Sequence, residues 1–370
     1  MKVVIIGGGY AGTALAKELD PDFDVTLIEK RERFFHNSGS LRAAVDAGWL
    51  RKLFIPYDAL LKRGGILNAK VVDVKPDEVV LEDGQHLKFD ALVLATGSSY
   101  PFPAKMASDR VTEAEAAVRL VNERIAQAKS ILLIGAGPVG IELAGEIAEL
   151  YPGKTVTLID PGERLLPAFH PKLGERLYAG LRKMGVQVLL GERLVKMPTE
   201  TNATQAVQPS MQTTLTEKGT RIEADLHFLC FGMQMNTTYL QPHFGDLLDE
   251  RKQVRVNSHL QVQGYKNIFA MGDIVNTGEP KLITTADAHA SLVAENLRRL
   301  AANRPDMLEY RPRPVATVVV PLGTSGGAAQ LPLGKNGIVL GAWAASLIKG
   351  KTLRAPQRWQ ALGAKLEEKN

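Results

Sequence analysis

The chain has one cysteine, Cys230, set inside the apolar run LHFLCFG. A lone thiol excludes an internal disulfide and a CxxC dithiol relay. In that setting it reads as a small buried hydrophobe. A disulfide-free composition fits a reducing compartment. No apolar stretch approaches the ~20 residues that a membrane span needs. The strand-like run KVVIIG begins at Lys2, which leaves no room for a signal or transit peptide. Lys rather than Gly at position 2 excludes N-myristoylation at this start. A cytoplasmic protein is expected, with peripheral contact at a membrane left open. Seven scattered histidines and one cysteine make no zinc-type cluster, so no metal is expected. No Ser/His/Asp signature is present either. A formal charge of +5 is spread along the chain. It reads as a solvated basic surface, and without a basic stripe interleaved with aromatics no specific nucleic acid is expected.

What the chain does have is a phrase written twice. VTLIEKRERFF (25–35) and VTLIDPGERLL (156–166) each follow a glycine-rich turn. The first copy runs from VVIIGGGYAGTALAKEL, with Gly7, Gly9 and Gly12, to Glu29. The second runs from ILLIGAGPVGIELAGEIAEL, with Gly135, Gly137 and Gly140, to Asp160. Each is strand, G-x-G-x-x-G, helix, strand, acid: the parts of a dinucleotide-binding βαβ unit. The first glycine makes the turn, the second admits a diphosphate, and the third lets helix and strand pack. The diphosphate sits at the helix start, where unpaired N–H groups and the dipole favour negative charge. The terminal acid accepts hydrogen bonds from a ribose. Two such units predict two nucleotide sites, most often FAD and a nicotinamide.

Two further motifs follow the same order. LVLATGS (92–98) contains Thr96 and Gly97, and NIFAMGD (267–273) ends on Asp273. With them the chain resembles the two-dinucleotide-binding flavoproteins of the pyridine-nucleotide oxidoreductase class. Within that class it is similar to the apoptosis-inducing-factor-like branch, which includes the ferroptosis suppressor-like NAD(P)H:quinone reductases. FFHNSGSLRAAVD (34–46), ATGSSYPFPAKM (95–106), GIELAGEI (140–147), YPGKTVTLI (151–159) and LIKGKTL…RW (347–359) carry that similarity. The CxxC pair of disulfide reductases is absent. So is the paired-glutamine segment of bacterial type-two NADH dehydrogenases, here ITTADAHASLVAEN.

The resemblance implies an α/β fold of two Rossmann-like dinucleotide-binding domains, with a NAD domain inserted in a split FAD domain and a small C-terminal α+β module. The expected boundaries are 1–104 and 236–304 for the FAD domain, 105–235 for the NAD(P)H domain, and 305–370 for the module. MPTETNATQAVQPSMQ (197–212) reads as a long loop between two strands, and a helix is expected over roughly 284–303. In the tail, RPRPVATVVVPLG and GAAQLPLG look like strands, and NGIVLGAWAASLIKGK like an apolar segment of helical length.

The expected cofactors are FAD and NADH, with NADPH left open. Gly7, Gly9, Gly12 and Glu29 would serve FAD. Thr96, Gly97 and Asp273 would join them, Asp273 on the ribityl chain. His36, Asn37 and Arg42 read either as surface polar residues or as neighbours of the flavin or its pyrophosphate. Gly135, Gly137, Gly140 and Asp160 would serve the nicotinamide cofactor. A carboxylate at 160 disfavours a 2′-phosphate, whereas Arg164 could accept one. Glu142 and Glu146 lie four residues apart on one helix face; they read as a charged helix surface or as site residues, and the resemblance places the first beside the nicotinamide ring. Lys105, after the ATG crossover, reads either as a loop lysine or as a candidate at the isoalloxazine. Lys349, with Lys351 and Trp359, either borders a quinone pocket or forms a basic amphipathic end; the catalytic candidates are Glu142, Glu146, Lys105 and Lys349. Trp343 reads as core, or as the apolar side of a helix resting on a membrane. His289 reads as a satisfied core or surface histidine.

The implied function is hydride transfer from NAD(P)H to FAD and electron delivery to a quinone such as ubiquinone. An NADH-dependent reductase of a ferredoxin-like protein, and a nucleic-acid-binding or signalling flavoprotein with incidental turnover, stay open. So does a homodimer.

Overall fold

In the computed structural model, residues 1–106, 108–198 and 210–366 are described. Two parallel sheets organise the chain. The first unit opens with β1 (Lys2–Ile6), α1 (Tyr10–Leu19) and β2 (Asp24–Glu29). A short helix α2 (Ser40–Val45) follows, then β3 (Gly65–Asn68) and β4 (Ala91–Leu94). Helix α3 (Val111–Gln127) leads into the second unit: β5 (Ser130–Ile134), α4 (Pro138–Leu150), β6 (Thr155–Asp160), α5 (Pro171–Lys183), β7 (Gln187–Leu190) and β8 (Leu226–Leu229). The chain then returns to the first unit with β9 (Ile268–Ala270) and α6 (Ile283–Ala301).

The first sheet has the order β9-β4-β1-β2-β3 and the second β7-β6-β5-β8, each pair parallel. Helices cover one face of each sheet and antiparallel strands the other, so the strands read as unbroken apolar runs rather than alternating ones. KVVII and SILLI are buried almost throughout. Helix α1 buries Ala11, Leu15, Ala16 and Leu19 at helical spacing and packs on α6. Because β9 lies beside β4 in the first sheet, the second unit is inserted into the first.

The expected helix at 284–303 spans Ile283–Ala301. Of the expected loop at 197–212, residues 199–209 lie outside the described residues. The C-terminal reading needs correction. The strand after RPRP begins only at Val318, giving β10 (Val318–Leu322), paired antiparallel with β11 (Gly326–Leu331). The apolar segment after it is not one helix. Its β-branched start forms β12 (Ile338–Leu340) against β11; Gly341 then starts the four-residue α7 (Ala342–Ala345), which runs into a wide turn at Ser346–Gly350. Trp343 is not core but 79% exposed.

The module bridges the two units. Its sheet lies on α4 and α5, while α8 (Ala355–Ala361) sends Trp359 into the core of the first unit, where its indole N–H donates to the Lys52 carbonyl at 3.1 Å. Gly145 makes the first contact close: a Cβ there would lie 2.7 Å from the Leu322 Cα. Gly145→Leu should therefore lift β10 off α4, costing roughly 1–3 kcal/mol in urea unfolding. Limited proteolysis should then cut the C-terminal module first; an unchanged cleavage pattern would refute this account of the docking.

Candidate functional site

Both glycine turns show the same steric logic. Gly7 and Gly135 each adopt φ +108°, a left-handed conformation that favours glycine. A Cβ on Gly7 would strike the Ala95 carbonyl, and one on Gly12 the Gly7 carbonyl oxygen. In the second unit a Cβ on Gly135 would come to 3.0 Å from the Cys230 oxygen, and one on Gly140 would strike the Gly135 oxygen. A Cβ on Gly9 or Gly137, by contrast, would meet nothing within 4 Å. Those two are the N-caps of α1 and α4, and no side chain caps either helix. The donors of each first turn thus face open space, which fits a diphosphate in both units.

The acids are placed in parallel. Glu29 accepts from the Gly8 amide at 2.5 Å and the Arg31 amide at 2.9 Å. Asp160 accepts from the Ala136 amide at 2.7 Å and the Gly162 amide at 2.8 Å. Glu29 lines a cavity of about 340 Å³ with Arg31, Tyr57, Leu61, Ile66 and Asn68. Tyr57, which no local motif marked, donates to the Gly8 carbonyl at 2.8 Å. Arg164 is exposed and donates to the Pro167 carbonyl at 2.7 Å.

At the exit of the first sheet, Thr96 donates to the Asn236 carbonyl at 2.7 Å, and Gly97 accepts from the Asn236 amide at 3.0 Å. This ties the outgoing strand to the returning one. Lys105 Nζ donates to the Ser98 carbonyl and hydroxyl, both at 2.6 Å, and stands 3.3 Å from the Asp273 carboxylate. The Ser98 hydroxyl donates to the same carboxylate at 2.6 Å. Burial pushes the Lys105 ammonium below the usual lysine range, and Asp273 opposes that shift. Ser98 went unmarked although it follows ATG directly. Behind Asp273, the fully buried His289 accepts from the Gly272 amide at 3.1 Å and is driven to about 4 by burial. His36 lies buried between the Tyr10 hydroxyl at 3.0 Å and the Leu353 carbonyl at 2.9 Å, and burial likewise lowers it to about 4.

Helix α4 carries the densest charge. Glu142 is paired with Lys349 at 2.7 Å, which joins the helix after the second glycine turn to the C-terminal module. Burial raises the Glu142 carboxyl, and Lys349 opposes the rise. Glu146 is not open to a ligand through its oxygens: both accept from Arg42 at 2.8 Å. Burial raises its carboxyl too, against Arg42. Arg42 also donates to the carbonyls of Gly350 and Gly323 at 2.6 and 3.0 Å. Its guanidinium is thus occupied by protein acceptors. Glu149, missed in the sequence, accepts from the Thr324 amide at 2.7 Å. Lys351 is exposed. Among the described residues, no group of three or more acidic, histidine or cysteine side chains could hold a metal.

Residues 1–290 match the protein family described as pyridine nucleotide-disulphide oxidoreductase. The chain is 37% identical over 368 residues to apoptosis-inducing factor homolog B of Dictyostelium discoideum, covering 95% of this chain and 94% of that one. It is 32% identical over 374 residues to human ferroptosis suppressor protein 1, covering 98% and 96%. Among solved structures, the sulfide:quinone oxidoreductase of Aquifex aeolicus superposes with a TM-score of 0.71 at 21% identity, over 99% of this chain and 92% of that one.

The two kinds of glycine separate in a mutational test. Gly137→Ala should fold with unchanged urea midpoint yet raise KM for the nicotinamide cofactor roughly tenfold, about 1.4 kcal/mol of lost binding. Gly140→Ala should instead lower the unfolding midpoint, by roughly 1–3 kcal/mol of stability. Equal behaviour of the two variants in both assays would sink the steric account.

Proposed function

The chain belongs to the pyridine nucleotide-disulphide oxidoreductase family, and on that footing we propose that it is an NAD(P)H:quinone reductase. FAD, when bound, supplies hydride acceptance and two-electron release, chemistry that is the cofactor's own. The chain's residues bind, orient and manage protons. The first turns of α1 and α4 hold the two diphosphates. Glu29 and Asp160 accept from the riboses, and the Asp160 carboxylate disfavours a 2′-phosphate, so NADH is preferred over NADPH. Asp273, Ser98 and Lys105 line the flavin side. Glu142 lies at the nicotinamide end of α4.

A member of this family without a dithiol must hand its electrons on directly. Cys230 is the single thiol; it is buried and pushed up to about 12 by desolvation. The observation that carries the quinone reading is the continuity of residues 342–350. At one end Lys349 pairs with Glu142. At the other, Trp343 and Leu347 stand 79% and 63% exposed. One short helical segment thus carries both an exposed apolar pair and the lysine of the ion pair, as suits an apolar acceptor. Forming a hydroquinone takes up one proton beyond the hydride, and Lys349 Nζ is placed to hold it. The same apolar face, with Lys351 and Arg354 exposed near it, suits peripheral contact with a lipid surface. No described helix is long and apolar enough to cross a membrane.

The purified, flavin-loaded protein should oxidise NADH with a soluble quinone much faster than with oxygen alone. A quinone no better than oxygen defeats the proposal. Faster, salt-sensitive reduction of a ferredoxin would move the function to a protein acceptor, and tight salt-dependent DNA binding with negligible NADH oxidation to a nucleic-acid role. In a separate measurement, Trp343→Ser/Leu347→Ser should lose co-sedimentation with anionic liposomes while keeping its rate with a water-soluble quinone. Undiminished sedimentation would remove the lipid contact from this face.

A further inference from the structure

We propose that Arg42 is a positioning residue: it sets Lys349 opposite Glu142 by gripping the turn that carries Lys349. This rests on the functional reading above for what the pair does, though not for the grip itself. The guanidinium is 4% exposed and its partner Glu146 7%. Its Nε and one Nη face the two Glu146 oxygens, a bidentate fork. The remaining donors reach three carbonyls: Gly350 at 2.6 Å, Lys351 at 3.4 Å and Gly323 at 3.0 Å. Gly350 and Lys351 are the two residues that follow Lys349 in the chain. Their orientation decides where the Lys349 side chain points.

The turn needs such an anchor. It leaves α7 through the wide turn Ser346–Gly350 and passes Leu353 and Arg354, at φ +47° and +60°, in the left-handed region that costs non-glycine residues energy. The grip comes from the segment that follows β2: Arg42 takes the first two carbonyls and His36 takes the Leu353 carbonyl. The face of Arg42 not used for hydrogen bonding lies over the Trp49 ring, 4.9 Å from its centroid, which holds the plane of the fork. Lysine has the charge but neither the plane nor the number of donors.

Arg42 also divides the charges. Glu142 and Glu146 occupy successive turns of α4, and Glu149 lies on the turn beyond. The cations that face the first two are Lys349 and Arg42. With Glu146 committed to Arg42, Lys349 has one carboxylate to serve. Without the guanidinium, two buried carboxylates compete for one ammonium.

The test compares flavin-loaded wild-type protein with Arg42→Lys and with the double variant Arg42→Met/Glu146→Met. The double variant removes both charges, so no uncompensated ion is left buried. Amide hydrogen exchange should quicken over residues 346–354 in both variants. KM for a soluble quinone should rise roughly tenfold, with KM for NADH within about twofold of wild type. Arg42→Lys should not rescue either effect. Unchanged exchange over 346–354 in the folded double variant overturns the proposal. Quickened exchange with an unchanged quinone KM overturns the link to Lys349. Should wild type fail to reduce quinones at all, the functional reading falls, and the exchange pattern alone decides for or against the grip.

Discussion

Helix α4 is the axis on which the site turns. Its start is left without a capping side chain, and its acidic face meets the C-terminal module directly through Glu142 and Glu149, while Glu146 holds the Arg42 that grips that module. Buried ion pairs such as those of Glu142 and Glu146 add little net stability against apolar replacements, but losing one partner costs about 3–5 kcal/mol. Their value here is placement. Three carboxylates on consecutive turns, each with a different partner, fix the rotation of the helix and the seat of the module together. Gly145, between them, allows β10 to come near enough for those bonds to form.

The same helix explains how three parts of the chain distant in sequence become one site. The segment after β2 supplies His36 and Arg42, the second unit supplies α4, and the tail supplies Lys349. Insertion of the second unit between β4 and β9 brings the exit of β4 beside the returning chain, where Ser98 and Ser99 pair with Met235 and Gln234. Ligands of open α/β sheets lie outside the carboxyl ends of their strands, and Lys105, Ser98 and Asp273 gather there.

What could be read from the sequence was what rests on local chemistry. The glycine triads, Glu29 and Asp160 declare themselves because turn, helix start and acid must follow in order within some thirty residues. The α/β class and the family resemblance follow from the same motifs and agree with the family match over residues 1–290. Partners set by tertiary packing could not be read. Nothing near Arg42 announces that both Glu146 oxygens will accept from it, and nothing near Glu149 points to Thr324. Tyr57 lies outside every motif. The tail misled because Ile338, Val339 and Leu340 carry helix-length hydrophobicity but pair as a strand, with glycines at 337 and 341 closing both ends. Trp343 looked like core because burial is the usual fate of a large ring, and periodicity cannot tell which face of so short a helix is covered.

Cys230 closes the strand beside the second glycine turn, with its sulfur buried and its thiol held protonated far above neutral pH. Thiolate, not thiol, reacts with peroxides and disulfides. A redox catalyst built this way carries no thiolate switch of its own. The sulfur that peroxide can reach is thioether rather than thiol: Met197, Met211 and Met233 are exposed, and their oxidation is reversible.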